Sequence, residues 1–339
     1  MTSEIGHRKH DHISAVLKSD VRSRKTTGLE AVVFEHVALP ELDFEKIDLT
    51  CRFLGYTLQA PFLVSSMTGG LGIAKHINET IAEVCQSLQI CLAVGSQRIA
   101  LEENQQDGLN KHLRRLAPSV PILANIGAAQ LASLNMSGSL LKLTDMIEAD
   151  ALIIHLNPLQ EVLQPGGDKD WSGVLKQIDI AARSLQAPVI VKEVGFGISG
   201  RVAKQLWNVG VKIIDVAGSG GTSWAAVEAA RAPSDFTREV AETFRDWGIS
   251  TAQSIKMIDD LQCGIQIIAS GGLRTGLEAA QALRLGASLA GFAAQLLPAA
   301  VEGAESLNAA ILKLITELKI TAFCTGSASI TELKQAPIL

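Results

Sequence analysis

The sequence predicts a closed parallel α/β barrel of the (β/α)8, or TIM-barrel, class. Three observations carry that expectation: eight short apolar runs, amphipathic stretches between them, and a glycine-rich, aromatic-poor composition. The runs are Pro61–Ser66, Ile90–Gly95, Pro121–Ile126, Ala151–Leu156, Pro188–Val194, Lys212–Val216, Gln266–Ala269 and Leu289–Ala293. Several end in Gly, Ser, Asn or a charged group, and short apolar runs bounded by turn signals are the mark of strands buried on both faces.

The amphipathic stretches are Ala74–Leu88, Gly108–Leu116, Ser139–Ile147, Trp171–Leu185, Gly200–Asn208, Thr251–Leu261 and Gly276–Leu285. Strand followed by helix at this spacing reads as right-handed βαβ units. About eight such units close into a barrel, with a doubly wound open sheet as the structural alternative. Of 339 residues 47% are hydrophobic and 4% aromatic, with 29 glycines, which suits a parallel sheet wrapped in helices. One domain is expected over 1–339: an N-terminal extension, 1–60, a barrel, 61–298, and a C-terminal helix and tail, 299–339. Ala299–Ile320 reads as one terminal helix, and a longer insertion, Ser223–Ser250, follows the sixth strand.

The net charge is −5, so no broad nucleic-acid or anionic-membrane surface is expected. Locally, His7, Arg8, Lys9, His10 and His12, followed by Lys18, Arg22, Arg24 and Lys25, form a basic cluster that reads as a solvated tail or a phosphate clamp. The five cysteines make no C-x-x-C pair, which suits reduced thiols in a cytosolic protein. No charged-then-apolar leader is recognised. The most apolar stretch, Leu289–Val301, is interrupted by Gln295 and Pro298 and falls short of the ~18 apolar residues a membrane span needs. A soluble, cytoplasmic protein is expected.

Chemistry in such barrels sits at the C-terminal ends of the strands. There the chain places Ser65-Ser66-Met67-Thr68-Gly69-Gly70, Gly95-Ser96-Gln97-Arg98, Asn125, His155-Leu156-Asn157-Pro158-Leu159-Gln160-Glu161 and Lys192-Glu193-Val194-Gly195. Any one of these is an ordinary strand end; together they converge on one face. Gly218-Ser219-Gly220-Gly221-Thr222 and Ser270-Gly271-Gly272-Leu273-Arg274 follow the sixth and seventh strands. Such loops let backbone N–H groups approach a phosphate, although a Gly-Gly pair is also an ordinary turn. Lys192 closes an otherwise apolar strand. It suits either the edge of a flavin that becomes anionic on reduction or an ion pair with Glu193 or Asp215. Glu161 suits Mg2+, which needs one or two protein oxygens when substrate phosphates supply the rest. No cysteine stands near the N-terminal histidines to make a zinc site with them.

Together these motifs resemble the type 2, flavin-dependent isopentenyl diphosphate isomerases over nearly the whole chain. The likeness includes Arg8-Lys9-His10-Asp11-His12, Met67-Thr68-Gly69-Gly70, Gly95-Ser96-Gln97-Arg98, His155 to Glu161, Lys192 to Gly197 and Gly220-Gly221-Thr222. His-Leu-Asn-x-x-Gln-Glu is its most specific element. The resemblance implies that Arg8, Lys9, Ser96, Gln97, Arg98, His155 and Asn157 hold the diphosphate of isopentenyl diphosphate, with His12 nearby. Glu161 would bind Mg2+, and Gln160, with Lys192, would serve the reacting centre. Ser66, Met67, Thr68, Ser96, Asn125, Lys192, Ser219 and Thr222 would contact FMN, and Gly271, Gly272, Arg274, Ala293 and Ala294 its phosphate end. The N-terminal extension then contributes to the substrate site, and a homo-oligomer is expected.

Double-bond migration needs a proton added to an alkene and an allylic proton removed, with no net redox change. No strong side-chain acid is evident, so the expectation is that reduced FMN acts as acid and base through N5. NADPH would serve only to reduce it. The rival reading is an FMN-dependent barrel oxidoreductase. Against it, the fourth strand end offers no Cys or Ser base, the seventh-strand loop has no His, and the sixth-strand glycine loop has no nucleophilic Cys. A non-catalytic sensor of prenyl diphosphate or flavin is the other alternative; it would bind without forming product.

Overall fold

The computed structural model describes residues 11–12, 14–17, 19–67, 72–102, 108–132 and 136–339, except for the side chains of 102, 132, 136 and 137. A hairpin of β1 (Cys51–Phe53) and β2 (Tyr56–Leu58) precedes the barrel strands: β3 (Phe62–Val64), β4 (Cys91–Ala93), β5 (Ile122–Gly127), β6 (Ala151–His155), β7 (Val189–Lys192), β8 (Ile213–Asp215), β9 (Gln266–Ala269) and β10 (Leu289–Phe292). These eight run parallel in sequential order, and β10 pairs with β3 to close the barrel. Each apolar run of the sequence holds one strand, and the amphipathic stretches overlap the helices that return the chain.

Strand side chains alternate between two sides, so a strand buried on both must be apolar at every position. The packing separates the two sets. Leu63, Cys91, Ala93, Leu123, Ala151, Ile153, Ile190, Ile213, Ile268 and Leu289 fill the barrel interior, joined by Phe53 and Leu58 of the β1–β2 hairpin. Their strand neighbours, such as Val64, Leu92, Ala124, Leu152, Val191 and Ile214, pack outward against the helices. The hairpin therefore plugs the N-terminal end. Tyr56 pins it by donating to Asp150 Oδ1 at 2.8 Å, just before β6, while Arg114 meets the other carboxylate oxygen at 2.6 Å.

The insertion after β8 forms two helices, Trp224–Ala230 and Asp235–Thr243, each opened by a serine (Ser223, Ser234) whose side chain accepts a first-turn N–H. The expected single terminal helix is two, Leu297–Glu302 and Ala304–Cys324. They break at Gly303, whose φ of 139° an L side chain rarely adopts. Among the described residues no helix is long and apolar enough to cross a membrane.

Candidate active site

One step above the apolar interior, the inward positions become polar. Leu63 is followed two residues on by Ser65, Leu123 by Asn125, Ile153 by His155, Ile190 by Lys192, Ile213 by Asp215 and Ile268 by Ser270. Ala93 and Leu289 are followed by Gly95 and Gly291. The period of two keeps each of these on its predecessor's side, so the C-terminal end of the barrel is floored by a polar ring. Register makes His155 the neighbour of Lys192, and Lys192 the neighbour of Asp215.

The ring is laced. Nδ1 of His155 lies 2.8 Å from Asn125 Oδ1, and Asn125 Nδ2 donates to Ser66 Oγ at 2.8 Å. Buried Lys192 donates from Nζ to the Glu193 backbone carbonyl at 2.6 Å. It makes no ion pair with either neighbouring carboxylate. Glu193 Oε2 is taken up by its own loop, accepting the N–H groups of Val194, Gly195 and Phe196 at 2.6, 2.7 and 2.6 Å. Burial pushes its carboxyl up to about 7, with those three donors and Lys192 pulling the other way. Burial also raises Asp215, opposed by the Lys192 charge, the Ser270 hydroxyl and the Ala217 N–H.

A second network stands where the short helix Pro158–Leu163 leaves β6. Asn157 Nδ2 donates to Gln160 Oε1 at 3.1 Å and to Glu161 Oε1 at 3.0 Å. Glu161 Oε2 accepts the Asp168 N–H at 2.8 Å and Gln164 Nε2 at 3.3 Å. Gln160 Nε2 donates at 3.2 Å to Oε1 of Glu228, the same oxygen that lies 3.1 Å from His12 Nε2. Arg231 Nη1 donates to Glu228 Oε2 at 2.9 Å. Burial opposes ionisation of Glu228, whose side chain is 1% exposed. The His12 bond and charge, the Arg231 charge and the Gln160 bond outweigh it and hold the carboxyl below its ordinary value. The ring of His12 meets Trp224 edge-on, 5.1 Å between centroids.

The described candidates occupy this end of the barrel or the segments at its rim. Ser66 and Met67 follow β3, Ser96 follows β4, Ser219 and Thr222 follow β8, and Ala293 and Ala294 follow β10. Arg8, Lys9 and Thr68 lie outside the described residues. Gln97 does not face the mouth with the others. It is fully buried in the wall, where its Oε1 accepts the Asn125 N–H at 2.9 Å and its Nε2 donates to the Leu143 carbonyl at 3.0 Å. Arg98 Nη1 donates to Asp168 Oδ2 at 3.2 Å, an oxygen that also accepts Gln130 Nε2 at 2.8 Å. The two glycine loops pack on each other: a Cβ on Gly221 would lie 2.6 Å from the Gly272 Cα. Gly271 and Gly272 are needed for that contact and for their positive φ, and Arg274 Nη2 donates across it to the Gly220 carbonyl at 3.1 Å. Among the described residues no group of three or more His, Cys, Asp or Glu is placed to hold a metal ion.

Residues 159–339 match the family described as FMN-dependent dehydrogenase. Over 335 residues the chain is 50% identical to the isopentenyl-diphosphate delta-isomerase of Cronobacter sakazakii, covering 98% of this chain and 96% of that one. Over 334 residues it is 51% identical to the enzyme of the same name from Pseudescherichia vulneris, with the same coverage. The chain belongs to the isopentenyl-diphosphate delta-isomerase family. Among solved structures, a flavocytochrome b2 mutant with pyruvate bound superposes with a TM-score of 0.68 at 16% identity, covering 95% of this chain and 81% of that one. That likeness bears on the fold alone.

Within this isomerase-family site, sequence reasoning passed over Glu228, Arg231 and Asp168. A signal for the first two was present. Glu228 is the one charged residue in the helix Trp-Ala-Ala-Val-Glu-Ala-Ala, and Arg231 follows it at i+3. A lone carboxylate on so small and apolar a helix is buried, and a buried carboxylate needs partners.

Proposed function

We propose that this chain interconverts isopentenyl diphosphate and dimethylallyl diphosphate at the C-terminal end of its barrel, as a redox-neutral, FMN- and Mg2+-dependent isomerase of isoprenoid biosynthesis. NADPH serves only to reduce the flavin. Near-full-length identity to enzymes of that name supports the reading. The observation that carries it in this chain is the hydrogen-bonded line Asn157–Gln160–Glu228–His12 beside a floor that holds Lys192. It sets groups able to hold a proton beside a cationic site.

The residues present fit both groups. Ser65 Oγ and Ser219 Oγ are buried without a hydrogen-bond partner at the mouth, and Lys192 has donors to spare. That mixture of donors and acceptors suits the polar edge of a flavin. Glu161, whose Oε1 accepts from Asn157 Nδ2, is a carboxylate of the kind a hard cation takes when substrate phosphates supply the other oxygens. When bound, reduced FMN supplies an electron-rich ring with an exchangeable proton at N5.

The chain's own residues do the rest. Lys192, tethered by the Glu193 carbonyl, would present its charge to the flavin, and Ser66, Met67, Thr68, Asn125, Ser219 and Thr222 would hold the ring. Gly271, Gly272, Arg274, Ala293 and Ala294 hold the phosphate end of the cofactor. Arg8, Lys9, His12, Ser96, Arg98, His155 and Asn157 would receive the diphosphate, and Glu161 would hold Mg2+. Gln160, fixed by Asn157 and Glu228, stands beside the reacting carbons. Gln97 acts at one remove by holding β5.

A second reading, an FMN-dependent oxidoreductase, is favoured by the family matched over 159–339. NADPH consumption decides between them. The isomerase forms many equivalents of product for each NADPH oxidised. One NADPH consumed per product formed would establish the oxidoreductase.

A further inference from the structure

Among the described residues, Asp215 is the least explained charge. It closes β8 inside the barrel, is fully buried, and uses only one of its oxygens: Oδ1 accepts the Ser270 hydroxyl at 2.5 Å and the Ala217 N–H at 3.3 Å. Its Oδ2 has no partner. A buried carboxylate with an unpaired oxygen is costly and persists where something nearby uses its charge.

The neighbour is Lys192, its register partner on β7. The other groups around Lys192 are committed elsewhere. The carboxylate of Glu193 is consumed by its own loop, and His155, on the opposite flank, is bonded to Asn125. Lys192 is itself held in place without Asp215, through the Glu193 carbonyl. Asp215 therefore sets how much of the ammonium's positive field is cancelled, while leaving its position alone.

We propose that Asp215 acts through Lys192 as its buried counter-charge, damping the positive field at the barrel mouth and so setting the reduction potential of the bound flavin. This rests on the FMN reading above. A flavin that becomes anionic on reduction is stabilised in that form by a cation, and a negative charge behind the cation weakens the effect.

The test is the two-electron potential of bound FMN, read by absorbance against a reference dye, together with the FMN dissociation constant. Asp215→Asn should shift the potential upward, with the reduced form gaining about tenfold in affinity relative to the oxidised form, or about 30 mV for a two-electron couple. Ser270→Ala, which removes the hydroxyl that stabilises the carboxylate, should shift it the same way by about threefold. It decides the matter if the first variant does not fold. An unchanged or lowered potential in the folded variants overturns the proposal and leaves Asp215 a structural residue. Wild-type protein that binds no FMN would instead sink the cofactor reading itself.

Discussion

Replacing Glu193 by Gln should flatten part of the pH dependence of stability. The fully enclosed carboxylate of Glu193 is pushed by burial from an ordinary 4.5 up to about 7, against the pull of three backbone N–H groups and Lys192. A raised folded-state value means that the native state holds the proton more tightly than the unfolded chain does. The resulting stabilisation is complete below the unfolded value and is lost as pH rises through the folded one. Integrated with those two values, the loss between about pH 5 and about pH 8 is on the order of 2–3 kcal/mol. Asp215 shifts in the same direction, but it is common to both proteins and cancels in the difference. The assay is urea unfolding followed by tryptophan fluorescence across that range, at fixed flavin content. Wild type should lose stability relative to Glu193→Gln by roughly the stated amount as pH rises. Parallel profiles would refute the argument. A wild type that gains on the variant would mean that the three N–H groups outweigh burial.

Other consequences are more local. Gln97→Ala should destabilise the fold by about 1–3 kcal/mol in thermal or chemical unfolding, because it strands the buried Asn125 N–H and Leu143 carbonyl. The apparent KM for the diphosphate should change less than in Arg98→Ala. Glu228→Ala should cost about 3–5 kcal/mol, since Arg231 would keep its charge with its buried partner gone. Recovery of most of that loss on also replacing Arg231 would identify the pair as the cause. Glu161→Gln should raise the Mg2+ concentration needed for half-maximal turnover at least tenfold while FMN stays bound. An unchanged Mg2+ requirement would remove Glu161 from that role.

Much of the barrel was legible because its signal is repeated. Runs such as Ala151–Leu156 and Pro188–Val194 hold strands apolar on both faces, and the amphipathic stretches between them have to be helices. The β1–β2 hairpin was not legible. Each strand has three residues, too few for a period, and Phe53 and Leu58 show their purpose only once the barrel interior exists to receive them. The break at Gly303 was hidden because apolar helical spacing continues on both sides of it.

The polar ring was half visible. Asn125, His155 and Lys192 stood out as polar strand ends, whereas Asp215 and Ser270 needed the two-residue step from the last interior apolar side chain. Gln97 marks the opposite limit. A motif supplies the residue type at a strand end, but whether the side chain turns to the mouth or into the wall is decided by β5 and the helix Met136–Ile147 behind it. For Glu228, the partners His12 and Gln160 lie 216 and 68 residues away, and only the fold brings them together.

The most direct test of the central claim is anaerobic turnover of isopentenyl diphosphate with Mg2+ and pre-reduced FMN, scoring dimethylallyl diphosphate while flavin absorbance is followed. The account predicts product in many-fold excess over enzyme with the flavin still reduced at the end. A bound, reducible flavin that forms no product, or whose oxidation tracks product one for one, would contradict it.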